Sequence, residues 1–497
     1  MARRRAQSPG AAPAAPKGKK LDLIGRCISR IQRSSPRNFE NGQIQVMRMN
    51  SSRMFSSVKH VIRSGLDPFD DIVGPIPIGR VMEVYGPEAS GKTAFVKKVC
   101  KQAFLKDLWI YNPDGSLSKI EDDTEVVVCY FDNEHSIESS NNEIIIDGVK
   151  IDGILTECDV IEDLWKTVDN VLDEVKLSAK NEEEKRKKAE KDGKTYKPKK
   201  FLTVFIVDTI ASTSSIEEYT KDWGEEDYPR MPKKLKEGFR RMVRRIGNEN
   251  VIFIASNQAN ETFGNKSRYI APDKKFNSPG GKALKFFAST RVLFEQLPVK
   301  FVLDEEYQFQ QGYVISFIST KNRLKKPLRE GRLILLFDSA PNIYGDISPS
   351  GLNNEYSILE TLLYLKFVQF EDDKFLRFHF RKFEIPMTTF NDLEDDEDPR
   401  MPSRADWVAF YAAHKADIDM MWRAAIDYIH KDRCLTNVRA IEDKSTGEEE
   451  GEQNETGSDG SPVQNDTEPA TCESVSDAPA IPLIPRTGAV LSIPNEP

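Results

Sequence analysis

VMEVYGPEASGKT, residues 81–93, runs an apolar, strand-like stretch straight into the pattern G-x-x-x-x-G-K-T. Each position of the loop that follows (Gly86, Pro87, Glu88, Ala89, Ser90, Gly91, Lys92, Thr93) is read against what a polyphosphate demands. Glycines let backbone N–H groups converge on phosphate oxygens, Lys92 neutralises charge on the outer phosphates, and Thr93 offers a hydroxyl to Mg2+. A helix is expected over 94–105, which sets the loop between a strand and a helix. The competing reading, a Gly-rich turn with an exposed lysine, leaves that placement unexplained.

Further apolar runs of strand length follow at 125–131, 201–207, 251–256, 290–294, 314–319 and 333–337. Several are apolar at consecutive positions, as strands covered on both faces must be. The expected fold is α/β, a mostly parallel sheet with helices on both faces. Two runs end in acids. FLTVFIVD closes on Asp208, suited to holding Mg2+ through water. VVVCYFDNEHS carries Asp132 and Glu134 past its strand, where a carboxylate can orient and deprotonate an attacking water. His135 beside them is expected to pack or cap rather than relay protons.

The 497 residues, 39% hydrophobic, suffice for more than one domain. Six scattered cysteines form no CxxC pair and no metal spacing, so neither a disulfide framework nor zinc is indicated. No apolar run reaches 18 residues, and the Arg-rich start lacks the apolar centre of a signal peptide. These features predict a soluble protein of the cytoplasm, with no membrane partner. The net charge of -8 is uneven: residues 441–497 hold 13 acidic and 2 basic side chains, a local -11 that leaves the rest at +3. Such a tail either solvates the chain or competes with nucleic acid for a basic groove.

Residues 1–20 are basic and too poor in large apolar side chains to pack. Within 21–62, Leu21, Ile24, Ile28 and Ile31 fall on one face of a short helix over 21–33 that needs a partner surface. The core is expected over 63–347. The charged stretch 180–200 within it reads as an exposed helical extension or mobile insertion. A small C-terminal domain is expected over 348–440, with a helix at 356–367, a strand pair near 375–383, and Ser403 and Asp406 capping a helix at Trp407. An acidic disordered tail follows over 441–497.

Taken together and in this order, the motifs resemble the RecA family of recombinases over roughly 63–338. SGLDPFDDIVGPIPIGRVMEVYGPEASGKT (64–93) looks like the family's entry into its RecA-like ATPase core, FDNEHS (131–136) like its catalytic-glutamate strand, and IVDTIAS (206–212) like its Mg2+ strand. FIASNQ (253–258) resembles its sensor strand, SPGGKALKFFASTRVLF (278–294) the end of its second DNA-binding loop, and TKNR (320–323) its basic pair that reaches a neighbouring subunit's ATP. The resemblance implies ATP and Mg2+ as cofactors, Glu134 as general base, Gln258 as the sensor of the terminal phosphate, and Lys321 and Arg323 as cations acting in trans. Glu138 would accept from the adenine amino group.

The resemblance also implies that the loops over 212–232 and 259–282 bind DNA. The second interleaves Lys266, Arg268, Lys274, Lys275 and Lys282 with Phe263, Tyr269 and Phe276, a composition suited to phosphate contacts and apolar wedges between bases. The basic helix between the loops, 233–245, either adds to that field or is a solvated face. The implied activity is that of a DNA-dependent ATPase forming helical filaments on single-stranded DNA and pairing it with double-stranded DNA in recombination and repair, with accessory recombination proteins as further partners.

The chain departs from the family where an aromatic would stack on adenine: it has Ser139, Ser140 and Asn141. With the charged stretch and the long tail, this fits a divergent member, one from a large bacterial virus, better than a housekeeping one. Two alternatives remain open at this point, a ring ATPase acting as helicase motor or recombination mediator, and a non-enzymatic DNA-binding scaffold with a vestigial nucleotide site.

Overall fold

A computed structural model describes residues 60–430, apart from 113–115, 121–122, 138, 141–142, 147, 221–229, 262–275, 304–308, 372–374, 391–396 and 402. The expected helix at 21–33 and the acidic tail lie outside the described residues.

Nine strands form one sheet: β1 (Arg80–Gly86), β2 (Thr124–Asp132), β3 (Ile154–Thr156), β4 (Lys200–Asp208), β5 (Val251–Gln258), β6 (Thr290–Phe301), β7 (Gly312–Asn322), β8 (Glu330–Leu336) and β9 (Gly351–Asn353). Their spatial order is β3-β2-β4-β5-β1-β6-β7-β8-β9. Pairing is parallel from β3 across to β6. It turns antiparallel from β6 to β9. Every apolar run singled out in the sequence is one of these strands; the short strands β3 and β9 were not foreseen.

Alternate side chains of the central strands enter two separate cores. Met82, Val84, Val128, Tyr130, Val204, Ile206, Ile252 and Ile254 face α1 (Lys92–Phe104), which buries Phe95, Val96, Val99 and Cys100 against them. Val81, Cys129, Phe131, Phe205, Val207, Phe253 and Ala255 face α2 (Ile161–Lys191) and α3 (Met231–Asn248). With both pleat faces covered, no polar alternation is possible in the sequence of these strands, which is why they read as continuous apolar runs.

The chain does not leave this framework after residue 348. Strand β9 pairs with β8, and the helix α4 (Asn354–Tyr364) packs on β8. Phe367, Leu376, Phe378 and Trp407 join the same core as α1. The strand pair expected near 375–383 is displaced toward the N-terminus: Val368–Glu371 pairs with Phe375–Phe378. Beyond it Phe380 turns inward and is buried, and Phe383 stacks on Phe367 with ring centroids 3.7 Å apart, so packing ends the strand. Ser403 Oγ bonds Asp406 Oδ2 at 2.7 Å at the entry to the helix Trp407–Ala413. The charged stretch 180–200 begins as the end of α2, which runs unbroken to Lys191.

Four phenylalanines hold the phosphate loop's helix to the sheet. Phe95 lies 4.5 Å from Phe69 and 5.2 Å from Phe294, and Phe69 lies 5.6 Å from Phe317. All four are fully buried. Phe95→Ala should lower unfolding free energy by about 3–5 kcal/mol in urea denaturation; a loss below about 1 kcal/mol would show that this cluster does not carry the packing.

Candidate active site

Strand β1 ends at Gly86 and α1 begins at Lys92, so the quoted loop spans the gap between them. A Cβ on Gly86 would lie 2.0 Å from the carbonyl oxygen of Phe294 on β6. Gly91 sits at φ 83°, and a Cβ there would meet Ile315 Cδ1 at 2.4 Å. Both glycines are therefore required by the backbone path itself. Ser90 Oγ donates to Pro87 O at 2.8 Å, and Lys92 Nζ donates to Pro87 O at 2.5 Å. Glu88 and Ala89 form the exposed lip. Burial pushes the Lys92 ammonium below its usual value, against the opposing charges of Glu134, Asp208 and Glu88.

Asp208, 1% exposed, closes β4 beneath the loop. Its Oδ1 accepts from Thr93 Oγ1 at 3.3 Å and Ser256 Oγ at 2.5 Å, and its Oδ2 accepts from Tyr130 OH at 2.9 Å. The Asp208–Thr209 peptide is cis, and Thr209 Oγ1 donates to Ser256 O at 2.9 Å. The two acids after β2 separate in role. Asp132 is buried and accepts from Ser136 N at 2.8 Å and Ile137 N at 2.9 Å, bracing the turn. Glu134 opens to the cleft, and its Oε1 accepts from Gln258 Nε2 at 3.1 Å. The Glu134 carboxyl is held above the ordinary range, first by loss of surrounding water and then by the charge of Asp208; Gln258 and Lys92 pull it back. His135 pairs at the surface with Glu157 at 3.3 Å.

A buried ammonium, a hydroxyl shared with a carboxylate, and a second carboxylate facing the same cleft match a triphosphate with a divalent cation. The two glycine positions that no Cβ can occupy fit the cradle such a ligand needs. No family model matches the chain. It is 24% identical to RecA of Colwellia psychrerythraea over 284 residues, 57% of this chain and 67% of that protein. Identity is 22% over 317 residues with RecA of Treponema denticola, covering 63% and 64% of the two. With RecA of Gloeobacter violaceus it is 24% over 352 residues, covering 70% and 79%. The chain is similar to RecA proteins at 22–24% identity, as a divergent member of that family would be. Its sheet, flanked by helices, is a RecA-like α/β core. The matched segment spans less than two thirds of the Treponema protein's length, and these bacterial relatives lend no support to a viral source.

Within this RecA-like core the remaining predicted residues fall into four groups. Gln258 lies at the loop-bearing end of β5, in contact with Glu134. Lys321 and Arg323 lie elsewhere. Asn322 pairs with Thr290, which pairs with Met82, four residues below Gly86 and so about 13 Å down the sheet. Lys321 Nζ there donates to the carbonyl of Lys285 at 2.8 Å, and its ammonium is depressed by burial and by Arg323. Arg323 lines a cavity of about 360 Å³ with Arg80 and Tyr111. Glu138, Phe263, Lys266, Arg268, Lys274 and Lys275 lie outside the described residues.

Two of the DNA-binding residues expected in the second loop are described, Phe276 and Lys282. Lys282 is exposed ahead of the helix Ala283–Phe287. Phe276, expected as a wedge between bases, is 3% exposed and packs with Tyr85, Ala259 and Leu293. The correction has a simple cause: this aromatic closes a short ladder in which Phe276 pairs with Glu261, anchoring the loop's return to the sheet. The helix between the loops is also less free than its sequence suggests. Arg245 binds Asp169 at 2.7 Å and Asp173 at 2.8 Å on α2.

Sequence reasoning missed several polar residues that build the site. Ser256 and Tyr130 hold Asp208. Buried Glu83 accepts from Arg291 Nε and, at 3.2 Å, from Asn257 Nδ2, which also reaches Pro279 O at 3.1 Å. All of them are strand residues whose partners are distant in sequence, so only periodicity breaks (a Glu in VMEVY, an Arg in STRVLF) could have flagged them. Gly86→Ala should weaken binding of a fluorescent ATP analogue by roughly tenfold or more, because backbone on two strands must move apart; unchanged affinity would show that the loop tolerates a side chain there.

Proposed function

We propose that the chain is a DNA-dependent ATPase that assembles into filaments on single-stranded DNA and exchanges strands with duplex DNA in homologous recombination and repair. The observation that carries the reading is the hydrogen bond from Gln258 to Glu134. It ties the acid facing the phosphate cleft to the strand that feeds the second loop. The similarity to RecA proteins supports the same reading.

Mg2+, held through Thr93 and Asp208, would supply charge stabilisation to the phosphate oxygens. The chain's own residues do the rest. Lys92 and the loop's backbone N–H groups orient the triphosphate. Glu134, its proton affinity raised by its setting, accepts the proton of an attacking water at a carboxylate oxygen. Gln258 changes partner when a terminal phosphate occupies the cleft, which alters the start of the second loop. Lys321 and Arg323, about 13 Å from their own loop, serve a neighbour's site, so turnover reports assembly.

ATPase rate with and without single-stranded DNA tests the coupling: stimulation of at least roughly tenfold is expected, and equal rates would overturn it. The trans arrangement has its own test. Lys321→Ala with Arg323→Ala should lower ATPase roughly a thousandfold with nucleotide affinity retained. Mixing that chain with Lys92→Ala chains, each nearly inactive alone, should restore measurable turnover, since each supplies what the other lacks; a mixture no more active than its parts would place both cations outside the reaction.

A further inference from the structure

Helix α2 is longer than the sheet it covers. Its buried apolar stripe, Ile161, Leu164, Trp165, Val168 and Leu172, ends far short of its last residue, Lys191. At Glu182 the helix has reached the start of β4: Glu182 Oε2 accepts from Lys199 N at 3.1 Å and from Tyr196 OH at 2.7 Å. Glu182 is 6% exposed, the one buried side chain of the helix beyond Leu172. The helix beyond it continues for about 14 Å, and the returning segment is fastened along it through the same carboxylate. The result is a built arm, not a loose insertion.

The arm's tip is strongly cationic. Between positions 185 and 200 nine basic residues stand against two acidic ones. Lys185 and Arg186 are spent on Glu182 and Glu183, at 2.7 and 2.6 Å. Lys187, Lys188, Lys191 and Lys194 are exposed and make no ion pair among the described residues. The first three occupy adjoining i, i+3 and i, i+4 positions on the helix, where like charges repel. Such crowding is relieved by a ligand that is itself a dense row of negative charge.

We infer that this arm is a second nucleic-acid site, which takes the phosphate backbone of duplex DNA; the inference rests on the recombinase reading above. Charge density selects the occupant. B-form DNA carries a negative charge every ~1.7 Å of axis, enough to meet each lysine of the tip within its length. The chain's own acidic tail spreads 13 acids over residues 441–497, about one in four residues, a far sparser match. Position agrees. Helix α2 leaves the end of the sheet that carries Asp208 and Glu134 and runs to the opposite end, where Lys200 pairs with Thr124. A duplex on the arm would be held apart from the phosphate cleft and the second loop.

The test uses the full chain and a fluorescein-labelled 30-base-pair duplex, with the variant K187A/K188A/K191A/K194A, whose first three substitutions lie in α2 and favour helix. Each lost phosphate contact removes about 0.9 from the slope of log affinity against log salt. The variant's slope should therefore be shallower by up to about 3.6, with affinity at 50 mM salt roughly tenfold or more weaker, while ATPase on single-stranded DNA stays within about twofold of the parent. Equal slopes and affinities for the two chains would overturn the inference. So would a parallel loss of duplex binding and DNA-stimulated ATPase, which would merge the arm with the primary groove. A variant that matches the parent on duplex, and differs only in its response to deleting residues 441–497, would assign the arm to the tail and likewise overturn it. Absence of DNA-stimulated ATPase in the parent chain would sink the recombinase reading instead, leaving the duplex comparison to be judged alone.

Discussion

Three hydroxyls from three different elements converge on the carboxylate of Asp208: Thr93 from the first turn of α1, Ser256 from β5 and Tyr130 from β2. A carboxylate at 1% exposure is stable only where its oxygens are met by donors, and here the donors fix the loop, the helix and three strands against one another. The register of the parallel sheet follows the same point. Asp208 pairs with Asp132, and Gln258 with Gly86, so the strand ends that bear chemistry finish in line. A slip of one residue would turn each of these groups into a packed core.

That alignment also explains why so much of the fold was legible. Strands covered on both faces cannot alternate with polar residues, so Val126 to Phe131 and Val204 to Val207 stand out as unbroken apolar runs, and the acids that end them mark the strand tips. The loop over 86–93 is legible for a different reason: its glycines are demanded by a carbonyl 2.0 Å from where a Cβ would sit and by a left-handed backbone, and nothing else fits. What stayed hidden depends on contacts between residues far apart in sequence. Phe276 in a basic loop looks the same whether it faces bases or, as here, Tyr85 and Leu293. Ser256 looks like any small strand residue until Asp208 is placed 2.5 Å from it. Strands β3 and β9, three residues each, are too short for periodicity to register.

The polar residues inside the sheet form a second tie below the first. Glu83, Arg291 and Asn257 bond across β1, β6 and β5, and Asn257 reaches the carbonyl of Pro279 where the second loop returns. The Arg291 guanidinium lies 4.4 Å over the ring of Tyr85, whose hydroxyl bonds Thr320 at 2.9 Å, next to Lys321. Removing one member of a buried charge pair strands the other, a loss of about 3–5 kcal/mol. Hydrophobic side chains could fill this space at less risk, so a polar tie at this depth is informative: it makes the position of the loop's return and the position of Lys321 parts of one bonded set.

The sheet is consequently a bar with two unlike ends. One end carries Lys92, Asp208, Glu134 and Gln258; the other carries Lys321, Arg323 and the tip of α2. Lys321 Nζ is bonded to the carbonyls of Lys285 and Phe286, and at about 13 Å from its own loop no side-chain rotation brings it into its own subunit's cleft. If both ends serve one reaction, unlike surfaces of two subunits must meet, which is a heterologous contact. Such a contact leaves each added subunit with a fresh, unsatisfied end. Growth would then continue until a ring closes or the supply of subunits stops, and the property that would leave one subunit incomplete is the same one that would make a polymer of them possible.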